Sequence, residues 1–319
     1  MIRLVILDPV SEDRLKRFAG YLPNDWFLAN AVSRAPADQV AALEGAGFAI
    51  TADVPVTADM MAVPGLRAVH KWGVGYDNID CDAAEAHGVR VLRTTGSNAV
   101  SVAETALGLI LALNRNLVRG HSAVLEGHWP KSELGATSMR LSGKTVGIVG
   151  LGHVGKALAR LLGGFGCDIL YCGRTRQDVE TETALGVRFT SLEDLLARSD
   201  VVSLNCSLTD ATRGMINART LALMKTGALL VNVARGGIVV EADLADALTS
   251  GHLRGAASDV YMEEPVPADN PLIGLETAIN TPHIAAVSAD TFEPTVKRMI
   301  GNLLALHEGR EPPEGDVVV

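Results

Sequence analysis

Three side chains of complementary chemistry each stand just after a short apolar run: Arg235 in "LLVNVARGG", Glu264 in "GAASDVYMEEP" and His283 in "AINTPHIA". A guanidinium offers a planar fork to a carboxylate. An imidazole gives or takes a proton near neutral pH. A carboxylate beside it orients the ring and favours its charged form. Together these meet the needs of hydride transfer to or from the C2 carbon of a 2-oxo or 2-hydroxy acid. Arg235 would hold the substrate carboxylate and oxygen, His283 would protonate the developing alkoxide during reduction, and Glu264 would hold His283. Each residue alone has an ordinary structural explanation, an Arg-Gly turn or a histidine packed after a strand, so the expectation rests on the set. Ligands of open parallel sheets sit outside the carboxyl ends of the strands, and that rim is where all three are expected.

Hydride chemistry needs a carrier, and "IVGLGHVGKALARLLG" (residues 148–163) has the form of a dinucleotide loop. The strand candidate "KTVGIVG" precedes it and a helical pattern follows. Gly150 permits the sharp turn, Gly152 lets the backbone approach a pyrophosphate, and Gly155 allows close helix–strand packing. The N–H groups at the helix start, near His153 and Val154, supply the anion site. An acidic residue that reads the ribose is expected roughly 20 residues on. Here the second strand ends "DILYCGRTRQD", with Arg174, Thr175 and Arg176 after Gly173. A carboxylate there would repel a 2′-phosphate, whereas two guanidinium groups and a hydroxyl would bind it. The expected cofactor is therefore NADP in preference to NAD.

The elements that must position these residues read as two α/β runs. "IRLVILD", "FAITA", "LRAVHKW" and "VRVLRT" are strand candidates in the first, with "DRLKRFAGYL" as a helix. This run carries "DPVSED" at its first turn in place of a glycine loop. A long helical pattern, "VSVAETALGLILALNRNLVRGHSAVLEGHW", leads to the second run: "KTVGIVG", "DILYCG", "VVSLNC", "ALLVNVA", "GAASDVY" and "AINTPH". A closing helix follows from "AVSADTFEPTVKRMIGNLLALHEG", and the acidic tail "EPPEGDVVV" reads as surface. Alternating strands and helices imply parallel sheets flanked by helices. The mid-chain glycine loop is explained if the nucleotide domain (101–287) is inserted into a discontinuous substrate domain (1–100 and 288–319).

The bulk properties agree with this class. The chain has 319 residues, 48% of them hydrophobic and 20% charged, which can fill two cores. A formal charge of −9 argues against a general nucleic-acid binder. Cys81, Cys167, Cys172 and Cys206 show neither a CxxC pair nor metal spacing, so free thiols in a reducing, cytoplasmic setting are expected, with no bound metal. No apolar run reaches the roughly 18 residues of a membrane helix.

The phrases "GLGHVG", "NVARGGIVVEADLADAL", "GAASDVYMEEP" and "TPHIA", in this order, resemble the D-isomer-specific 2-hydroxyacid dehydrogenases, as do "KWGVGYDNID" and "VAETALGLILAL". The likeness runs from about residue 66 to 290. It implies two Rossmann-like domains, the catalytic one formed by both chain ends, and a homodimer through the central domain involving "RGHSAVLEGHWPKSEL". The domains would hinge near residues 99–101 and 284–288 to close over cofactor and substrate. The family's catalytic Arg, Glu and His fall on Arg235, Glu264 and His283, and its backbone clamp for the substrate carboxylate on Val74 and Gly75. Asp259 and Thr105 fall beside the nicotinamide. Further cofactor contacts are expected at Cys206, Ser207, Thr212, Val233 and Ala234, where "NCSLT" departs from the family's usual phrase and alters the adenine pocket. Lys71, before the clamp, is a candidate to charge the substrate pocket, and its neighbour Trp72 fits core equally well. The implied activity is NADP-preferring reduction of a small 2-oxo acid, of the glyoxylate or hydroxypyruvate type. NAD-dependent 3-phosphoglycerate oxidation is one alternative, although the long C-terminal extension frequent there is not seen. The other is a dinucleotide-sensing binding protein of the same fold, like the family's transcriptional corepressors.

Overall fold

Short apolar runs bounded by turns become two all-parallel sheets in the computed structural model, which describes residues 1–319. The chain divides into two compact units, one of Met1–Asn98 with Ala289–Val319 and one of Ala99–Ser288.

In the first unit, β1 (Ile2–Ile6), β2 (Trp26–Asn30), β3 (Phe48–Thr51), β4 (Ala68–Lys71) and β5 (Arg90–Leu92) lie in the order β2-β1-β3-β4-β5. Successive side chains of a strand face opposite ways. Accordingly, Val5, Ala49 and Val69 enter one core layer, while Leu4, Ile6, Phe48 and Ile50 enter the other. Burial on both faces explains why these strands read as continuous apolar runs. Strand order reverses between β1 and β3, the place where such sheets usually take a ligand. Here it is filled from within. The Asp8 carboxylate, just after β1, accepts from the backbone N–H groups of Ala52 (2.5 Å), Asp53 (2.9 Å) and Val54 (3.2 Å) after β3. "DPVSED" thus supplies its own anion to this crevice.

The helix Phe292–His307 packs into the same unit through Val296, Met299, Ile300 and Leu303. The tail beyond it is a correction to the sequence reading, because it is not free surface. Val317 bridges Leu92, and Val318 N–H donates to the Val91 carbonyl. Asp316 is fully buried. It accepts from Arg298 Nε (2.7 Å) and a terminal guanidinium nitrogen (2.6 Å), Asn302 Nδ2 (3.0 Å) and Thr95 N–H (2.9 Å). Asn302 Nδ2 also reaches His70 Nε2 at 3.1 Å, and His70 Nδ1 pairs with the Lys71 carbonyl at 2.8 Å. Burial pushes His70 down to about 4, so its ring is neutral.

In the second unit, β6 (Thr145–Val149), β7 (Asp168–Cys172), β8 (Val187–Phe189), β9 (Val201–Leu204), β10 (Ala228–Asn232), β11 (Leu253–Ser258) and β12 (Ala278–Asn280) lie in the order β12-β11-β10-β9-β6-β7-β8. The same alternation holds: Ile148, Tyr171 and Val231 face one layer, and Val149, Leu170 and Leu230 the other. The long helical pattern breaks at Asn116, whose φ is 53°. Asn116 Nδ2 donates to the Leu134 carbonyl, Thr137 Oγ1 and Ser138 Oγ, so the chain gives Ala99–Asn114, Leu117–Leu125 and Lys131–Thr137. No helix is long and apolar enough to cross a membrane.

Asp316 carries a testable consequence. Burial works against its charge, but bonds from Arg298, Asn302 and Thr95 outweigh it and hold its pKa below the usual carboxylate value. A depressed folded pKa means stability present above the unfolded value and lost as pH falls through the folded one. Asp316→Asn should lower stability at pH 7 by about 3 kcal/mol, since it leaves Arg298 without its counter-charge. The deficit should shrink in acid. Urea unfolding followed by fluorescence of Trp26 and Trp72, both in this unit, measures it.

Candidate active site

The rim of the second sheet is built by three adjacent strands. Arg235 follows β10, Glu264 follows β11 and His283 follows β12, all at carboxyl ends. The structure brings the latter two into contact: His283 Nδ1 lies 2.6 Å from Glu264 Oε2. A carboxylate only accepts, so Nδ1 carries the proton and Nε2 is left for substrate. The bond to Glu264 raises the histidine pKa, against opposing effects of burial and of Arg235. Burial works to raise Glu264, but bonds from His283 and from Tyr261 N–H (2.9 Å) outweigh it and lower its pKa. The contact therefore favours the imidazolium–carboxylate form of the pair, with one proton on the ring available to give.

His283 sits at φ 52°, a conformation few residues other than glycine adopt. Buried Asp259 holds it there. Its carboxylate accepts from Thr281 Oγ1 (2.6 Å), Ile284 N–H (2.9 Å) and Ala285 N–H (2.8 Å), and its carbonyl accepts from His283 N–H (2.8 Å). Asp259 was expected beside a nicotinamide; the structure engages both its carboxylate oxygens in the histidine loop. Thr105 lies beside that loop, its hydroxyl 3.4 Å from the Ala285 carbonyl.

Arg235 is half-buried, with one guanidinium nitrogen donating to the Ala234 carbonyl at 2.9 Å. Asn232, at the end of β10, shapes its turn by accepting from Ala234 N–H (3.1 Å) and donating to the Arg235 carbonyl (3.0 Å). Val233 and Ala234 are buried in this turn. At Gly236 a Cβ would fall 1.8 Å from the Tyr261 carbonyl carbon, so only glycine lets the arginine turn abut the segment that leads to Glu264. Asn232, Gly236 and Tyr261 are functional supports that sequence reasoning passed over. "RGG" was a signal for the glycine; burial of the other two has no sequence mark.

At the glycine loop, packing explains two of the three glycines. A Cβ on Gly150, at φ 95°, would lie 2.8 Å from the Cys206 backbone, and one on Gly155 would lie 2.2 Å from the Gly150 carbonyl oxygen. Gly152 is different. Its φ of −79° suits any residue, and a Cβ there would meet no protein atom within 4 Å. It opens the helix His153–Gly163, which has no side-chain cap and no acid in its first turn. A glycine required by nothing inside the protein, at a helix start that lacks an anion, fits a pyrophosphate. The loop lies where strand order reverses between β6 and β9.

The other expected site residues have the following surroundings. Arg176 forms a two-pronged pair with Glu182, both bonds 2.9 Å, and Tyr171 Oη donates to the same carboxylate at 2.6 Å. Arg174 and Thr175 remain exposed, and Arg174 has no ion-pair partner. Cys206 is half-buried and its thiol is pushed up to about 11 by burial, while Cys172 is pushed to about 12 by burial and the neighbouring Cys206. Thr212 Oγ1 is engaged in its own turn, donating to the Ser207 carbonyl at 2.8 Å, with Ser207 exposed.

Lys71 lies in the first unit. It is buried, and its ammonium is held by the Ala52 carbonyl and by Asn78 Oδ1 (2.8 Å), so it fastens loops of its own unit. Trp72 packs between Phe18 (5.5 Å) and Phe292 (5.7 Å) as core. Val74 and Gly75 follow β4 in a half-buried turn, with N–H groups that meet no acceptor in the chain.

Comparisons with known proteins bear on this geometry. Residues 107–285 match the family described as D-isomer specific 2-hydroxyacid dehydrogenase, NAD binding domain. The glyoxylate reductase of Korarchaeum cryptofilum is 40% identical over 265 residues, covering 81% of this chain and 79% of that protein. A D-3-phosphoglycerate dehydrogenase of Mycobacterium tuberculosis is 42% identical over 246 residues, covering 76% of this chain and 44% of that longer protein. The NAD complex of a NAD-dependent formate dehydrogenase from Staphylococcus aureus superposes with a TM-score of 0.90 at 28% identity, over 100% of this chain and 99% of that one. The matched nucleotide domain falls within the unit that carries Gly152 and the Arg235, Glu264 and His283 rim, and the likeness continues beyond it: the chain belongs to the D-isomer-specific 2-hydroxyacid dehydrogenase family.

Proposed function

We propose that this protein reduces a small 2-oxo acid of the glyoxylate or hydroxypyruvate type to the 2-hydroxy acid, of D configuration where C2 is a stereocentre, with NADPH preferred. The observation that carries the reading is the 2.6 Å pair of His283 and Glu264. Relatives include formate dehydrogenases. Formate oxidation releases carbon dioxide and a hydride and moves no proton, so it has no use for a ring held protonated. Reduction of a 2-oxo acid adds a hydride to the carbonyl carbon and a proton to its oxygen, and the pair supplies the proton. The bound nicotinamide dinucleotide supplies the hydride. Arg235 holds the substrate carboxylate and carbonyl oxygen, His283 Nε2 gives its proton to that oxygen, and Glu264 stabilises the ring before it does so. In the first unit, the open N–H groups of Val74 and Gly75 suit a carboxylate. A homodimer is supported by the helix Leu117–Leu125, which buries none of its residues and exposes Leu117, Val118 and Leu125, with Trp129 beyond it 80% exposed.

Turnover with glyoxylate, hydroxypyruvate, pyruvate and longer 2-oxo acids, each with NADH and NADPH, tests the assignment; formate turnover without ketone reduction would overturn it. His283→Ala should lower kcat by about 10²–10⁴-fold. Reduction needs the imidazolium, so its rate should fall as pH rises through the raised pKa of His283, and oxidation should show the opposite limb. Glu264→Gln removes the charge that raises this pKa, so the reductive limb should move to lower pH.

Cofactor choice separates the two arginines. Arg174→Ala should weaken NADPH use by about tenfold or more, with little effect on NADH, since a hydrogen bond to a charged group contributes about 1.5–3 kcal/mol. Arg176→Ala should loosen the turn for both cofactors alike. Equal native kcat/KM with NADH would remove the NADP assignment.

The glycines separate fold from binding. Gly155→Ala should destabilise the protein by roughly 1–3 kcal/mol through overpacking. Gly152→Ala should leave the melting temperature unchanged while weakening dinucleotide binding by at least about tenfold, or roughly 1.4 kcal/mol, in titration calorimetry.

A further inference from the structure

The strands that carry Arg235, Glu264 and His283 at their carboxyl ends frame a cavity at their opposite ends. It lies within the second unit, has a volume of about 380 Å³, and is lined by the chain just before β10, the start of β11 and the start of β12. Leu113, Val118, Leu253 and Ile279 give it apolar walls, and Arg119 and Arg254 supply cations. A size of this order suits a small organic molecule.

The two arginines are unequal. Arg119 has acidic neighbours, Glu276 at 3.5 Å and Glu133 at 3.7 Å, of which Glu276 also lines the cavity. Arg254 has none. Its guanidinium is half-buried, and its partners are neutral: the Thr137 carbonyl (3.0 Å), Asn114 Oδ1 (2.8 Å) and the Gly227 carbonyl (3.4 Å). Burial lowers its pKa and no carboxylate offsets the effect. Asn114 is 2% exposed, and its Nδ2 has no acceptor, so the amide is oriented for Arg254. A half-buried cation without a counter-charge is costly. Of the five guanidinium donors, three are engaged and two remain for a ligand. Glu276 and Glu133 both flank Arg119, so Arg254 is the one cation of the lining with no carboxylate beside it.

We propose that this cavity binds a small monocarboxylate with an apolar body, the carboxylate on Arg254 and the body against Leu253 and Ile279. The site stands at the other end of the sheet from the catalytic rim, and the proposal does not depend on which 2-oxo acid is reduced there.

Naphthoate and its neutral amide, naphthamide, are suitable probes, with calorimetric titration of the full chain as the readout. Naphthoate should bind saturably with a Kd below about 1 mM, and naphthamide at least about tenfold more weakly. Arg254→Gln should weaken naphthoate at least tenfold. Val118→Trp, which fills the cavity from a partly exposed position and keeps every bond of Arg254, should do the same. Arg235→Gln should leave this binding intact, which separates it from carboxylate binding at the catalytic rim. Naphthoate binding that survives both cavity variants, or is lost with Arg235→Gln, overturns the proposal. So does the absence of saturable naphthoate binding.

Discussion

A histidine at φ 52° presents its ring to Glu264 only while something holds its loop, and the buried carboxylate of Asp259 is what does so. Three donors of the loop converge on that one group. The constraint then propagates. Asp259 closes β11, so the loop after β12 is fixed to the strand that leads to Glu264. Gly236 lets the turn after β10 press on the same segment, and Tyr261 Oη ties it to the Ser258 carbonyl and to Asn280 Oδ1. Glu241 adds a further grip, accepting from Met262 N–H at 2.8 Å and from Asn270 Nδ2 at 2.7 Å. Proton transfer demands side chains held to within hydrogen-bond tolerance. Here that precision comes from buried polar contacts between loops, on top of the rigid sheet beneath them.

The two units show one architectural rule with opposite outcomes. Each has a parallel sheet whose strand order reverses once, and each reversal leaves a crevice edged by backbone N–H groups. In the first unit Asp8 closes that crevice with its own carboxylate. In the second, Gly150 draws the Cys206 backbone close and Gly152 leaves room at an uncapped helix start. The difference between a crevice closed from within and one open to a nucleotide lies in a few residues at the switch point.

Charges near the second crevice follow the same logic of prior engagement. Arg176, Glu182 and Tyr171 form a closed set that braces the turn after β7, which leaves Arg174 as the outward cation. Lys71 is likewise drawn inward by Ala52 and Asn78. A cation in a promising stretch of sequence serves a ligand only if no internal acceptor reaches it first, and at Arg254 the internal acceptors are all neutral.

The sequence by itself determined the repeating α/β pattern, the glycine loop and the order of Arg235, Glu264 and His283, because these are local: period, turn chemistry and position after a strand are carried by neighbours in the chain. It hid β2 and β8. "WFLAN" keeps Phe27 exposed and "VRF" places an arginine and an exposed phenylalanine on an edge, so neither shows the continuous apolar run of a doubly covered strand. It misread the acidic tail, where Asp316 is buried because Arg298, Asn302 and Thr95, far apart in sequence, meet it. Only the tertiary structure decided which polar groups are already taken: Arg176 by Glu182, Lys71 by Ala52 and Asn78, Asp259 by the histidine loop. Hydrogen-bond partners are chosen by proximity in space, and burial, which makes an unmet polar group costly, belongs to the folded molecule and not to the chain.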